Sequence, residues 1–293
     1  MIAGMLWFVL ALGSALFQVL RNMVMKRLGH ALDETINVWG RFTFILPFAA
    51  LAVWADGVPP LGPGVFWYCL LFAATQITGT QCLALALKVA EISLVTALWK
   101  LSVVLLVVWG FLTLGETPSA LGVAGVLVSV VGVYLINVSR ARVSFWAPFV
   151  SLVRDPGQRY TLGAAMFYAP SVVIIKKIAL LSNPSFAVFT GYLFCSALIT
   201  PWALYRSARH FRQVGRYWLS FVGLGAFAAL STLLGTTAYT LSVSAYVEAV
   251  KQVEILIALV IGYLVFGEGA RIRTIWLGCV VMLVGMVLLV LGR

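Results

Sequence analysis

Leu12-Gly13-Ser14-Ala15-Leu16-Phe17 recurs 150 residues later as Leu162-Gly163-Ala164-Ala165-Met166-Phe167. The same offset carries Lys26-Arg27-Leu28 onto Lys176-Lys177-Ile178. Further along, Gly115-Glu116 corresponds to Gly267-Glu268 at an offset of 152, Gly125 and Gly132 to Gly278 and Gly285 at 153, and Arg140 to Arg293. Ordered anchors that drift by only a few residues mark an internal duplication. It divides the 293-residue chain into a first repeat over 1–140, a connection over 141–160 and a second repeat over 161–293.

Both copies are apolar. Hydrophobic residues make up 62% of the chain and charged residues 10%, against about 25% charged in ordinary soluble domains. Too few charges remain to coat a water-soluble core. An ordinary soluble enzyme, a nucleic-acid-binding domain and a disordered chain are excluded. The formal net charge is +11, but the basic residues gather at the ends of apolar runs, as in a polytopic membrane protein. Cys69, Cys82, Cys195 and Cys279 lie inside apolar stretches without metal-type spacing and read as reduced packing residues. His30 and His210 fall in polar connections, so neither a metal nor a cofactor is expected. No cleavable signal peptide is read at Met1–Phe8, which runs directly into the first apolar segment.

A helix needs about 20 mostly apolar residues to cross a bilayer, because lipid offers no partner to unpaired backbone groups. Ten segments meet that length, near 4–25, 37–55, 65–87, 92–114, 119–138, 161–180, 184–205, 217–240, 246–266 and 273–292. Turn chemistry separates them: Asp56-Gly57-Val58-Pro59-Pro60, Gly115-Glu116-Thr117-Pro118, Ser182-Asn183-Pro184 and Gly267-Glu268-Gly269. Within the longest connection, Val143–Val153 is too short to cross and is expected at the interface. Trp39, Trp54, Trp67 and Trp146 near span ends read as interface anchors. The fold class is therefore an all-α integral membrane protein of ten transmembrane helices. Five per repeat is an odd number, so the second repeat enters the membrane with opposite polarity. Such inverted repeats are how many transporters place a substrate site near the midplane.

Alternate connections carry unequal charge. One side holds Lys26, Arg27, Lys88, Arg140, Arg142, Arg154, Arg159, Arg206, Arg209, Arg212, Arg216, Arg271 and Arg273; the other holds Lys176, Lys177 and Arg293. The positive-inside rule puts the first side in the cytoplasm and both termini on the non-cytoplasmic side of the plasma (inner) membrane.

Arg41-Phe42 opening the second helix, Ala86-Leu87 closing the third, Leu114-Gly115-Glu116 after the fourth, Phe266-Gly267-Glu268 after the ninth and the glycine-spaced tenth helix together resemble the EamA-type branch of the drug/metabolite transporter superfamily. The resemblance covers nearly the whole chain. It implies ten helices in two inverted five-helix repeats and export or import of small metabolites and drugs. Family members often have a proline about thirteen residues before the Gly-Glu glutamate, which kinks helices four and nine. Here those positions are Val103 and Ile255, and the acidic position before them is Ser102 in the first half and Glu254 in the second. No proline enforces a kink in either helix.

Ionisable residues near the bilayer centre cost about 2.5–3.5 kcal/mol on insertion scales and usually face a cavity or a partner. Lys100 and Lys251 lie near the middle of the fourth and ninth segments, which are repeat mates, and Glu248 and Glu254 flank Lys251 at a spacing of three. One reading pairs Lys251 with a glutamate and lets Lys100 snorkel. The other gathers both lysines at a central site, offering ammonium groups to an anionic portion of a substrate while Glu248 or Glu254 meets a cationic portion or takes up a proton. Arg21 and Asn22, with Gln18 one turn earlier, either line a pathway or anchor the interface; Arg41 reads as structural. Trp99, Phe167 and Tyr168 read first as packing, as aromatic stripes usually do, and otherwise as an apolar wall for a substrate side chain. Gln76, Thr78, Thr80 and Gln81 supply uncharged hydrogen-bonding capacity, and Pro170 marks a candidate hinge. The candidate substrate-binding set is therefore Lys100, Lys251, Glu254, Glu248, Trp99, Gln18, Asn22, Arg21, Tyr168 and Gln81.

Arg21, Arg41, Lys100 and Lys251 outnumber the two intramembrane acids by two charges. That surplus disfavours lipophilic cations. The leading expectation is a secondary transporter of amino acids or related zwitterionic or anionic metabolites. The alternatives are an exchanger of organic anions or phosphorylated metabolites, a multidrug exporter and, more remotely, an integral-membrane enzyme, for which no nucleophile or metal constellation is present in the sequence. The expected partners are the small solute and the lipid bilayer, with proton coupling open and the protein a monomer or homodimer. No nucleic acid is expected.

Overall fold

The computed structural model describes residues 2–115, 119–136 and 147–291. Glu116, Arg140, Arg142, Trp146 and Arg293, and with them the first part of the Val143–Val153 stretch, lie outside the described residues. All regular structure among the described residues is helical: α1 (Ile2–Gly29), α2 (Glu34–Phe44), α3 (Leu46–Asp56), α4 (Val65–Val89), α5 (Ile92–Trp99), α6 (Leu101–Leu114), α7 (Ala120–Ile136), α8 (Ala147–Arg154), α9 (Pro156–Leu180), α10 (Pro184–Val214), α11 (Trp218–Leu241), α12 (Ser244–Val250), a 3₁₀ turn (Lys251–Val253), α13 (Glu254–Phe266) and α14 (Gly269–Leu291). Eight segments are long and apolar enough to cross a membrane: α1, α2 with α3, α4, α5 with α6, α9, α10, α11, and α12 with α13. Two shorter apolar stretches, α7 and Ile272–Leu288 within α14, occupy the other two expected positions.

Local chemistry sets the helix ends. Asp33, Asp155 and Asn183 each accept a hydrogen bond from the backbone three residues on, and proline follows directly after Asp155 and Asn183. Gly115 and Gly267, with φ of +66° and +68°, close α6 and α13 in the left-handed conformation that lacks a penalty only for glycine. Three membrane-length segments are divided into separate helices, and a fourth, α10, kinks at Ser207, whose backbone is non-helical. Pro47 accounts for the break between α2 and α3 at Ile45. The other two fall at Lys100 and Lys251, where no proline stands, and the turn tightens instead: the Lys100 amide donates to Ala97 (3.2 Å) and the Val103 amide to Lys100 (3.0 Å). The absence of a family-type proline therefore does not leave these helices straight. Conversely, α9 runs unbroken through Pro170.

The polarity of the fold is inside-out. Trp54, Trp67, Leu112 and Leu264 are exposed on the outside, while Gln18, Asn22, Lys100, Glu248, Lys251 and Glu254 are buried. Trp54 and Trp67 suit the anchoring expected of them, whereas Trp39 turns inward and donates to Thr200 (3.1 Å). Phe167 does not join Trp99 and Tyr168 in the interior: it is 40% exposed on the outer surface, with its Cβ close to Gly79.

The two halves of the chain interlock. Along α4 and α9, Gly79 meets Ala164 and Phe167, Cys82 meets Gly163, and Ala90 meets Gly157, so the helices are antiparallel. On α1 and α11 the repeat mates make the matching contacts, Gly13 with Leu234 and Ser14 with Ser231. Gly40 is closed over by Phe221, and its mate Gly191 by Phe72. A glycine seam joins α7 to α14, with Gly132 against Gly278 and Met282, and Gly285 against Gly125 and Ser129.

Each end of the bundle is tied separately. At one, the Lys26 ammonium donates to the Ala90 carbonyl (2.6 Å) and pairs with Glu268 (3.8 Å), and Lys88 pairs with Glu34 (3.3 Å). At the other, Lys176 donates to the Ser242 carbonyl (2.8 Å), the Gly62 amide donates to Leu181 (2.7 Å), and Ser185 donates to Asp56. Ala90 sits beside Gly157 at the start of α9, while Lys176 lies near its end, roughly 28 Å away along the helix.

Gly278→Ala places a Cβ 2.6 Å from the Gly132 carbonyl and the Ile136 amide, against backbone that cannot yield. It is expected to destabilise the protein by about 1–3 kcal/mol, seen as a lower unfolding temperature in detergent. Gly223→Ala, whose added Cβ meets nothing within 4 Å, is expected to have no such effect.

Candidate functional site

The interruptions at Lys100 and Lys251 bring both lysines to the middle of the bundle, each 2% exposed. Irregular backbone at this depth is tolerated only where protein covers it, and Trp99, Ser102 and Val103 around Lys100 are themselves buried. The Lys100 ammonium lies 3.0 Å from Glu254 and 3.9 Å from Glu248. The Lys251 ammonium lies 2.5 Å from Glu248 and donates to the hydroxyls of Tyr168 (3.2 Å) and Tyr239 (3.4 Å). Both tyrosines in turn donate to Glu248. Gln18 donates to Glu254 (2.8 Å), and the Trp99 and Tyr168 rings meet edge to face at 4.8 Å.

Two ammonium groups and two carboxylates thus form one compact group without net charge. Lys100 is not a snorkelling residue. It has no acid in its own helix and finds its partners on the opposite half, which is why neighbouring sequence could not assign them. An isolated ion of either sign would be expelled from such a site, and mutual pairing with hydroxyl donors makes burial tolerable.

Beside this group lies a cavity whose walls include Gln18, Arg21, Arg41, Phe72, Gln76, Tyr168, Tyr192, Ser231, Thr232, Thr236, Tyr239 and Lys251. It holds about 40 Å³, room for a few waters, so loading anything larger requires its walls to part. The second span and its repeat mate enter the site through Arg41 and Tyr192, 151 residues apart, which span-by-span reading of the sequence did not anticipate. Arg21, 2% exposed, faces this cavity rather than the interface and donates to Asn22 (3.0 and 3.3 Å). Arg41, 3% exposed, donates to Thr80 (3.2 Å), and its Nε has no hydrogen-bond partner. Among the described residues, no carboxylate lies within ion-pair distance of either guanidinium.

Of the ten candidate residues, nine are brought to this region. Gln81 is not: it lines a separate outer cleft with Glu34, Thr78, Trp202 and Arg206, because a position five residues from Gln76 falls on another face of α4. Sequence reasoning also passed over Tyr239 and Tyr192, and it left Glu268 as a turn residue. Glu268 is buried; its carboxylate accepts from the Ile92 amide (2.9 Å) and from the Ser93 amide (3.1 Å) and hydroxyl (2.8 Å), capping α5 from the far half. Its repeat mate Glu116 lies outside the described residues. No cluster of metal-ligating side chains occurs among the described residues.

Removing one member of the central group strands a buried charge. Lys100→Met is expected to cost about 3–5 kcal/mol. Lys100→Met combined with Glu254→Gln is expected to cost clearly less than the sum of the two single changes. Thermal unfolding of the four proteins in detergent, treated as a double-mutant cycle, measures the coupling.

No curated protein matches the sequence. Among solved structures, a crystal structure covering 95% of this chain, and matched over 97% of its own, superimposes with a TM-score of 0.62 at 17% identity, a likeness of fold alone. The model of the EamA-like transporter family matches twice, over residues 5–138 and again over 156–291. With most of the chain matched in two successive copies, and apolar helices throughout, the protein is a multi-pass membrane protein that belongs to the EamA-like transporter family of the drug/metabolite transporter superfamily.

Proposed function

We propose that the chain is a secondary carrier that moves a small polar metabolite by alternating access, with ten spans arranged as two five-helix halves of opposite polarity. The observation that carries this reading is the meeting of the halves at the centre. Lys100 and Lys251, 151 residues apart, stand at interruptions of corresponding helices, and the first engages carboxylates of the other half. Discontinuous helices whose ends flank a midplane site are a recurring carrier design. The matching pairs Gly13–Leu234 with Gly163–Cys82, and Gly40–Phe221 with Gly191–Phe72, support a pseudo-two-fold relation. With the same contacts available to either half, states open to each side differ little in energy, as alternating access requires.

In this reading the interior of the bundle opens alternately toward the end tied by Lys26 and the end tied by Lys176. The first is the cytoplasmic end by its basic connections, and the termini lie outside the plasma (inner) membrane. Cargo is a zwitterionic or anionic metabolite such as an amino acid, an organic anion or a phosphorylated compound, with Lys100, Lys251, Glu248, Glu254, Arg21, Asn22, Gln18, Tyr168 and Trp99 around it. The paired carboxylates are the groups through which a proton would couple. The protein acts as a monomer or homodimer without cofactor.

Purified protein in liposomes is expected to give saturable counterflow of a labelled solute, which a channel does not. Topology is tested with Arg27→Cys and Lys177→Cys, each in a background lacking the four native cysteines. An impermeant maleimide added outside intact cells is expected to label position 177 and not 27. Equal labelling of both would defeat the inverted arrangement.

A further inference from the structure

We propose that Arg21 and Arg41, rather than the lysine pair, form the recognition element for the cargo, and that the favoured cargo is a small organic anion bearing a carboxylate or phosphate oxyanion. The proposal rests on the carrier reading and narrows its substrate class. The intramembrane charges carry a surplus of two positives, and the structure locates it. Lys100 and Lys251 are matched by Glu248 and Glu254, leaving the surplus on two guanidiniums that are almost wholly buried and, among the described residues, lack an acid. Two such charges facing one void repel each other and have lost most of their hydration. A ligand of opposite charge removes both penalties at once.

The cavity wall supports the same choice. Among the described residues its lining includes three cations, Arg21, Arg41 and Lys251, and neither an aspartate nor a glutamate. An amino acid would therefore bring its ammonium to a wall that offers it no carboxylate. An oxyanion, in contrast, meets planar guanidinium forks whose paired donors match carboxylate and phosphate geometry. Arg41 Nε is a spare donor, and the hydroxyl of Thr236, also on the wall, has no partner.

The test uses purified protein in detergent and in liposomes, with four probes: succinate, glycerol 3-phosphate, alanine and tetraphenylphosphonium. Succinate or glycerol 3-phosphate is expected to raise the unfolding temperature and to drive counterflow, and the stronger of the two identifies the preferred oxyanion. Alanine and tetraphenylphosphonium are expected to do neither. Arg21→Gln and Arg41→Gln are expected to weaken anion binding roughly tenfold or more, the usual scale for a charged hydrogen bond. Arg41→Lys keeps the charge but loses the fork, and an intermediate affinity is expected. Should these variants fail to fold, binding by the unaltered protein still decides the class. Counterflow of alanine or tetraphenylphosphonium without response to either anion would overturn the proposal and leave the carrier reading intact. Anion binding without counterflow would uphold the site and defeat the carrier reading. Anion affinity unchanged in folded Arg21→Gln and Arg41→Gln proteins would overturn the assignment to these residues.

Discussion

A charge in hydrocarbon must find a partner, and in this protein the partner of Lys100 belongs to the other half of the chain. The first-half stretch Ala97–Val103 contains no acid, whereas the second half supplies both Glu248 and Glu254. Pairing across the middle of the bundle therefore holds the two halves in register at the point where each has a broken helix. Around it, the Tyr168 and Tyr239 hydroxyls donate to Glu248 and the Trp99 ring packs on Tyr168, so the members of the group depend on one another.

The frame is nearly symmetric and the chemistry mounted on it is not. Repeat mates make the same contacts at Gly40 and Gly191, at Gly13 and Gly163, and at the caps Asp33 and Asn183. Yet Arg41 has Tyr192 as its mate, and the positions corresponding to Glu248 and Glu254 in the first half, Ala97 and Ser102, are not acidic. In the carrier proposed above, the matching contacts would let the halves exchange roles with little change in packing energy, and the asymmetric charge would orient the solute.

Much of this was legible in the sequence because it follows from length and periodic composition. Apolar runs of about 20 residues report helices directly, and the offset between Leu12–Phe17 and Leu162–Phe167 reports the duplication. The pairing of Lys100 and Lys251 as mates was legible for the same reason. Long-range partners were not. Nothing near Glu268 in sequence signals that its carboxylate caps α5, and nothing near Arg41 signals that it faces the cavity rather than supporting a neighbour. The breaks at Lys100 and Lys251 carry no proline or glycine, so their cause lies in tertiary contacts. Gln81 was misplaced because four polar residues close in sequence on a helix divide between two faces, and only packing tells which face turns inward.

The capping of α5 by Glu268 reaches beyond the membrane centre. The first turn of α5, within the first half, is completed by a side chain that the ribosome delivers some 175 residues later. Packing of α1 on α11, and of α4 on α9, is crossed in the same sense. Neither half, translated alone, presents a finished surface to the bilayer; each is a template whose missing pieces are held by its counterpart. Cutting the gene between the repeats would thus yield two fragments that must find each other during biogenesis, rather than two small proteins.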